Sequence, residues 1–202
     1  MNKQLLERCK KADFKAIFKE KGYKFFTEGI YNLNLIGVRS KESVHQSNTF
    51  DDAFIAMYVN ELGDWRRDII SITTDPGITM LKAPINSKGC AILVPGQYPG
   101  LWKIGFHKGK YKALVQNKPC TIYRDNNKDD ILDFNPDNID LGMFGINFHK
   151  AGLSSIEVNN WSAGCQVAEK TADFNIIMKV AEEGRLSYGN SFTYTLLEEI
   201  DL

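Results

Sequence analysis

No apolar run in this sequence approaches the roughly 20 residues that a membrane-spanning helix needs, and the opening Met1-Asn2-Lys3-Gln4 lacks the apolar core of a secretory signal. Net charge is missing as well: 25 Lys and Arg balance 25 Asp and Glu, with no basic cluster beyond scattered lysines. Nucleic-acid binding depends on neutralising phosphates, so this balance argues against a nucleic-acid partner. The four cysteines are widely spread and include no CxxC pair, which fits neither a zinc ribbon nor a disulfide scaffold. Neither a metal nor another cofactor is implied, and there is no internal repeat, low-complexity tract or linker. The expectation is a soluble chain without membrane insertion, synthesised in the reducing cytoplasm without a signal peptide.

What remains is 202 residues with 43% hydrophobic content, enough for one well-packed domain behind an N-terminal helical segment. In residues 2–20, Leu5, Leu6, Cys9, Phe14, Ile17 and Phe18 recur near helical spacing; Asp13 is a plausible N-cap splitting the segment into two helices, and Gly22 is placed to end it. From Leu33 onward the pattern changes to short strands, expected at 33–38, 53–59, 68–73, 91–94, 101–107, 111–116, 121–124, 142–149 and 191–197. Turn chemistry such as Asp75-Pro76-Gly77, Lys108-Gly109-Lys110 and Asn117-Lys118-Pro119 separates them. A second helix is expected at 171–183, with Phe174, Ile177, Met178 and Ala181 on one face and Gly184 as its stop. The fold class is therefore α+β, mainly β, a sandwich or barrel.

The stretch richest in chemistry is 144–167. A strand-like run ends at His149, and fifteen residues later comes Ser162-Ala163-Gly164-Cys165. A thiol is a useful nucleophile as the thiolate, and a nearby imidazole is the commonest means of generating it. Gly164 permits close backbone approach, and the amides of Gly164 and Cys165 could point into one hollow as an oxyanion hole. Cys9, Cys90 and Cys120 lack this setting and read as core filling.

A histidine ending a strand, followed after such a gap by Ser/Thr-x-Gly-Cys, resembles the signature of the L,D-transpeptidase catalytic domain (YkuD-like) family, with a fainter echo in Thr73-Thr74-Asp75-Pro76-Gly77. The resemblance implies an L,D-transpeptidase-like catalytic domain over residues 31–202, behind a helical segment at 1–30. It implies a peptidoglycan stem peptide as partner, Cys165 as nucleophile and His149 as its base. It also implies Ser162 beside the substrate. The chain departs from the family at Ala163, where a histidine is usual, and at Val167, where Arg or Asn is usual. These departures favour hydrolysis over transpeptidation and suit a divergent relative, such as a bacteriophage lytic enzyme, that reaches the cell wall after release or delivery. Two other classes stay open: a catalytically silent wall-binding or phage structural module, and a cytosolic cysteine peptidase or amidase.

Three further positions carry expectations. His107 ends the run 101–107 and could supply the proton donor that Ala163 removes. Arg124 could hold a substrate carboxylate bidentately. The run Asp125-Asn126-Asn127-Lys128-Asp129-Asp130 looks like a calcium loop, but Asp130 and Pro136 stand where that loop needs Gly and Glu, so a hairpin tip is expected. His45 reads as loop. The polar segment 150–161, with Gly152, Ser154 and Ser155, is expected to form a lip over the site.

Overall fold

The computed structural model of the protein describes residues 2–41, 48–153 and 155–202. His45 and Ser154 lie outside the described residues. Two helices lead, α1 (Lys3–Lys11) and α2 (Phe14–Glu20), and Asp13 caps the second by accepting the Ala16 N–H at 3.1 Å. Eleven strands follow: β1 (Asn34–Arg39), β2 (Asp52–Val59), β3 (Trp65–Thr73), β4 (Cys90–Leu93), β5 (Gly96–His107), β6 (Tyr111–Gln116), β7 (Cys120–Asp125), β8 (Ile139–Gly142), β9 (Phe148–Lys150), β10 (Gln166–Ala168) and β11 (Phe192–Glu198). Two more helices, α3 (Ile78–Lys82) and α4 (Thr171–Tyr188), interrupt them.

Eight strands close a barrel in the order β1-β11-β5-β6-β9-β10-β3-β2, and β4-β7-β8 form a separate three-stranded sheet. Closure removes most strand edges, which is how mainly-β chains limit edge pairing. The barrel interior is aromatic: Phe54 stacks on Phe148 with centroids 4.5 Å apart, and Trp102 lies 4.2 Å from Tyr194. Side chains alternate across a strand, so burying Phe148 inside sends its neighbour His149 to the outer face. The anchor of the site is therefore a core contact.

The leading helices bury Leu5, Cys9, Phe14 and Phe18 against Ile36, Val38, Ile55 and Leu197 on the outer face of β1, β2 and β11. Helix α4 adds Phe174, Ile177 and Ala181 to the interior cluster. Gly184 does not stop α4, which runs on to Tyr188 and ends at Gly189, φ 79°. A Cβ at Gly184 would lie 2.8 Å from the Tyr31 carbonyl, so the glycine serves close packing within the helix.

The strand expected at 142–149 is broken. The N–H groups of Phe144 and Ile146 both donate to Gln116 Oε1 at 2.9 Å, and Trp102 Nε1 donates to the Ile146 carbonyl at 2.8 Å. Side chains thus satisfy a backbone that a ladder would otherwise pair, and β8 and β9 become separate strands in different sheets. At the acidic tip, Asp129 N–H bonds to Asn127 Oδ1 at 3.1 Å and Ile131 N–H to Asp129 Oδ1 at 2.8 Å, so these oxygens cap their own turn. Among the described residues, no helix is long and apolar enough to cross a membrane.

Candidate active site

Parallel pairing of β9 with β10 sets Val167 beside His149. Cys165 precedes Val167 by two residues and packs against the same buried cluster, which puts the thiol on the side of the barrel where His149 lies. His149 is buried, and its Nδ1 lies 3.0 Å from the Lys150 carbonyl. That contact requires the proton on Nδ1 and leaves Nε2 with a free lone pair, the tautomer a general base needs.

His107 arrives from the end of β5. Its ring stacks on His149 with centroids 4.1 Å apart and 23° between planes. Asn147 is oriented by the Gln116 N–H, which donates to its Oδ1 at 2.8 Å, so its Nδ2 is the atom 3.3 Å from His107 Nδ1. His107 therefore accepts at Nδ1 and carries its proton on Nε2. Burial, and secondarily His107, lowers the His149 pKa to about 3. Burial also lowers that of His107. Two neutral rings lie face to face.

Cys165 is half-buried, whereas Cys9, Cys90 and Cys120 are buried, with thiol pKa values pushed up to about 12 by desolvation. Burial raises the Cys165 pKa too; the Asn147 backbone and the charge of Lys108 act against the rise. The thiol donates to the Gly145 carbonyl at 3.1 Å and makes no hydrogen bond to His149. The resting site is thus a neutral thiol beside a neutral imidazole.

The Ser162–Cys165 turn is shaped by close approach. Gly164 has φ 126°, and a Cβ there would sit 2.0 Å from the Ala91 carbonyl of β4. Ser162 is fully buried; its hydroxyl donates to the Cys165 carbonyl at 2.8 Å and accepts the Gly164 N–H at 3.1 Å. Ser162 therefore braces the turn and does not face a substrate. The Gly164 N–H is committed to that brace, so the expected pair of oxyanion donors reduces to the Cys165 N–H, which has no hydrogen-bond partner among the described residues.

The Thr73–Gly77 echo does reach this turn: Gly77 N–H donates to the Ser162 carbonyl at 3.0 Å. Behind it, Arg39 Nε lies 2.9 Å from Asp75 Oδ1 and donates to Thr74 Oγ1 at 3.1 Å, while the Asp52 carboxyl accepts the Thr74 N–H at 2.6 Å. Gln166, next to the thiol, accepts from Tyr194 at 2.7 Å and donates to the Thr74 carbonyl at 3.3 Å. Polar groups this deep hold one geometry because each lost partner is costly.

Val167 is fully buried with Phe50, Ala151 and Val158, and Cys165 packs against this cluster. A charge at position 167 would be desolvated there. The 150–161 segment thus contributes its two ends to the apolar wall beside the thiol, and its Val158 N–H is tied to the Asn48 carbonyl at 3.0 Å. Arg124 is buried: Nε is 3.0 Å from Asp140, Nη1 donates to the Gly89 carbonyl at 3.2 Å, and the guanidinium lies 4.9 Å above the Phe144 ring. It lines a groove of about 320 Å³ with Ala91, Met143, Phe144 and Ala163.

Sequence reasoning missed Gly145, Asn147, Gln116 and Tyr111, whose hydroxyl is 3.5 Å from the Lys150 carbonyl that holds His149. Only the polar Asn147, set among apolar residues just before His149, carried any signal. No family model, curated protein or solved structure matches the chain.

Proposed function

We propose that the protein is a cysteine-dependent acyl-transfer enzyme acting on peptidoglycan stem peptides, with an L,D-transpeptidase-like fold and hydrolysis favoured over transpeptidation. The observation that carries this reading is the β9–β10 register, which brings the end of the Ser162–Cys165 turn to the strand of His149, with His107 stacked on the imidazole. Cys165 attacks the peptide carbonyl, and its proton passes to His149 Nε2. The thiolate and imidazolium stabilise each other once formed, offsetting the burial that keeps both groups neutral at rest. The Cys165 N–H stabilises the oxyanion, and His149 returns the proton to the departing amine, leaving a thioester. Water then attacks the thioester as His149 Nε2 takes its proton; the C–S bond breaks, the acyl group leaves as a carboxylic acid, and the proton returns to the Cys165 sulfur, while buried Val167 offers no charge to seat an acceptor carboxylate instead. The groove beside Ala163 offers room for part of the substrate, while Arg124 in its wall stays paired with Asp140.

A lytic or wall-remodelling enzyme of a bacteriophage, delivered to the wall after cytoplasmic synthesis, fits this chemistry. A second reading, a silent module of the same fold, draws support from the thiol held on Gly145 and the committed Gly164 N–H. Brief mixing with purified muropeptides separates the two: an acyl adduct on Cys165 supports an active site, and no adduct with no cleavage supports the silent module.

A further inference from the structure

The small sheet has an open edge close to Cys165. β8 pairs with β7, and in the order β4-β7-β8 no described strand lies on its other side. Ladder phase decides which backbone groups face outward. Thr121 accepts from the Val94 N–H on the β4 side at 3.0 Å, and Arg124 N–H donates to the Asn138 carbonyl at 2.9 Å. The even-numbered residues of β7 therefore face β8, and the register pairs Ile122 with Asp140. In an antiparallel ladder these positions alternate, which turns the N–H and C=O of Ile139 and Leu141 to the open side.

The side chains along this edge are apolar and exposed: Ile139 43%, Leu141 75% and, just beyond, Met143 56%. Edges are usually blunted by lysine, proline or a bulge, and residues 139–142 contain none of these. The one charge within 139–142, Asp140, is held by Arg124 at 3.0 Å and Lys88 at 3.5 Å, so two cations surround the one carboxylate of the edge. The chain then runs through Met143 and Phe144, which line the groove, to Gly145, whose carbonyl holds the Cys165 thiol. From Leu141 to Gly145 is at most about 14 Å of chain, within reach of a short extended peptide.

We infer that the β8 edge seats the peptide substrate as a fourth, extended strand and leads its reacting carbonyl to Cys165. The inference rests on the reading of Cys165 as the nucleophile. Main-chain bonds to Ile139 and Leu141 supply affinity, the apolar side chains add contact, and the exposed Lys88 ammonium favours a peptide carrying negative charge beside the groove.

Hydrogen exchange on Cys165→Ala with purified disaccharide tetrapeptide tests this without turnover. The Ile139 and Leu141 amides are expected to slow at least about tenfold at saturating peptide. Unchanged exchange there overturns the inference, as does protection that grows with protein concentration alone, which marks a second copy on the edge. Leu141→Pro gives an independent arm, since it deletes an N–H that pairing with β7 does not use. It should raise KM about tenfold or more with kcat nearly retained; an unchanged KM overturns the inference. Iodoacetamide needs no edge, so failure to label Cys165 in the wild-type protein counts against the nucleophile, not against the edge.

Discussion

At Cys165 and His149 the resting chemistry is that of two uncharged groups, which gives the residue scale its own tests. Alkylation of Cys165 should climb steadily as the pH rises toward and beyond the ordinary thiol range, with no plateau near pH 6; such a plateau would reveal a preformed ion pair. His149→Gln bears on stability. The folded-state pKa of about 3 lies below the unfolded value, so the unfolded chain binds the extra proton as the pH falls below about 6.5. The contribution of neutral His149 is complete above that pH and is lost on acidification toward the folded pKa. Burial raises the Asp52 and Asp125 pKa values, so their contributions have the opposite sign, present at low pH and lost as the pH rises through the folded value. The comparison must therefore be between wild type and variant. Urea unfolding from about pH 4 to 6.5 should show a shallower rise of stability with pH in His149→Gln, and parallel curves would contradict the buried neutral ring. His107 acts through His149. His107→Gln should cut turnover by about ten- to a thousandfold and shift the acid limb of the rate profile upward as the ring charge beside His149 is removed. A drop in melting temperature with unchanged specific activity would assign His107 to the strand end alone.

Among the elements, β9 and β10 owe their positions to partners far away in sequence. Gln116 is the clearest case: Oε1 accepts from Phe144 and Ile146, and Nε2 donates to the Lys118 and Gly142 carbonyls at 2.9 and 3.0 Å. Gln116→Leu should cost about 2 to 4 kcal/mol by urea unfolding, because several buried backbone groups lose their partner. It should also change the alkylation rate of Cys165 by releasing the Gly145 carbonyl, and an unaltered rate would separate the two. The same dependence explains what the sequence disclosed. Apolar alternation located β1, β2, β6 and β11 nearly to the residue, and Asp13 marked the start of α2, because those signals are local. The break at 143–147 was hidden, since nothing near Phe144 shows that a glutamine at 116 will take its amide. The motif singled out His149 and Cys165 as the candidate residues. The tautomer, the Gly145 contact and the burial of Val167 depend on distant packing that no local window contains.

For the molecule as a whole, the barrel carries the candidate site on its outer wall beside an open-edged sheet, and on the proposed reading the apolar setting of Val167 leaves water as the acceptor of the thioester. Excess free D-amino acid or tetrapeptide should leave mostly hydrolysed product, with exchange product in the minority. Dominant exchange at millimolar acceptor would contradict this and make Arg124→Ala the variant expected to restore water as acceptor. Everything rests on Cys165 forming a covalent acyl-enzyme on peptidoglycan peptides. Intact-protein mass spectrometry after brief mixing with purified muropeptides, followed by peptide mapping, reads this directly. The account predicts an acyl adduct confined to the peptide containing Cys165, cleaved muropeptide in solution, and loss of both in Cys165→Ala by a factor of about a thousand or more. Cleavage that persists in Cys165→Ala, or an adduct on another residue, would contradict it.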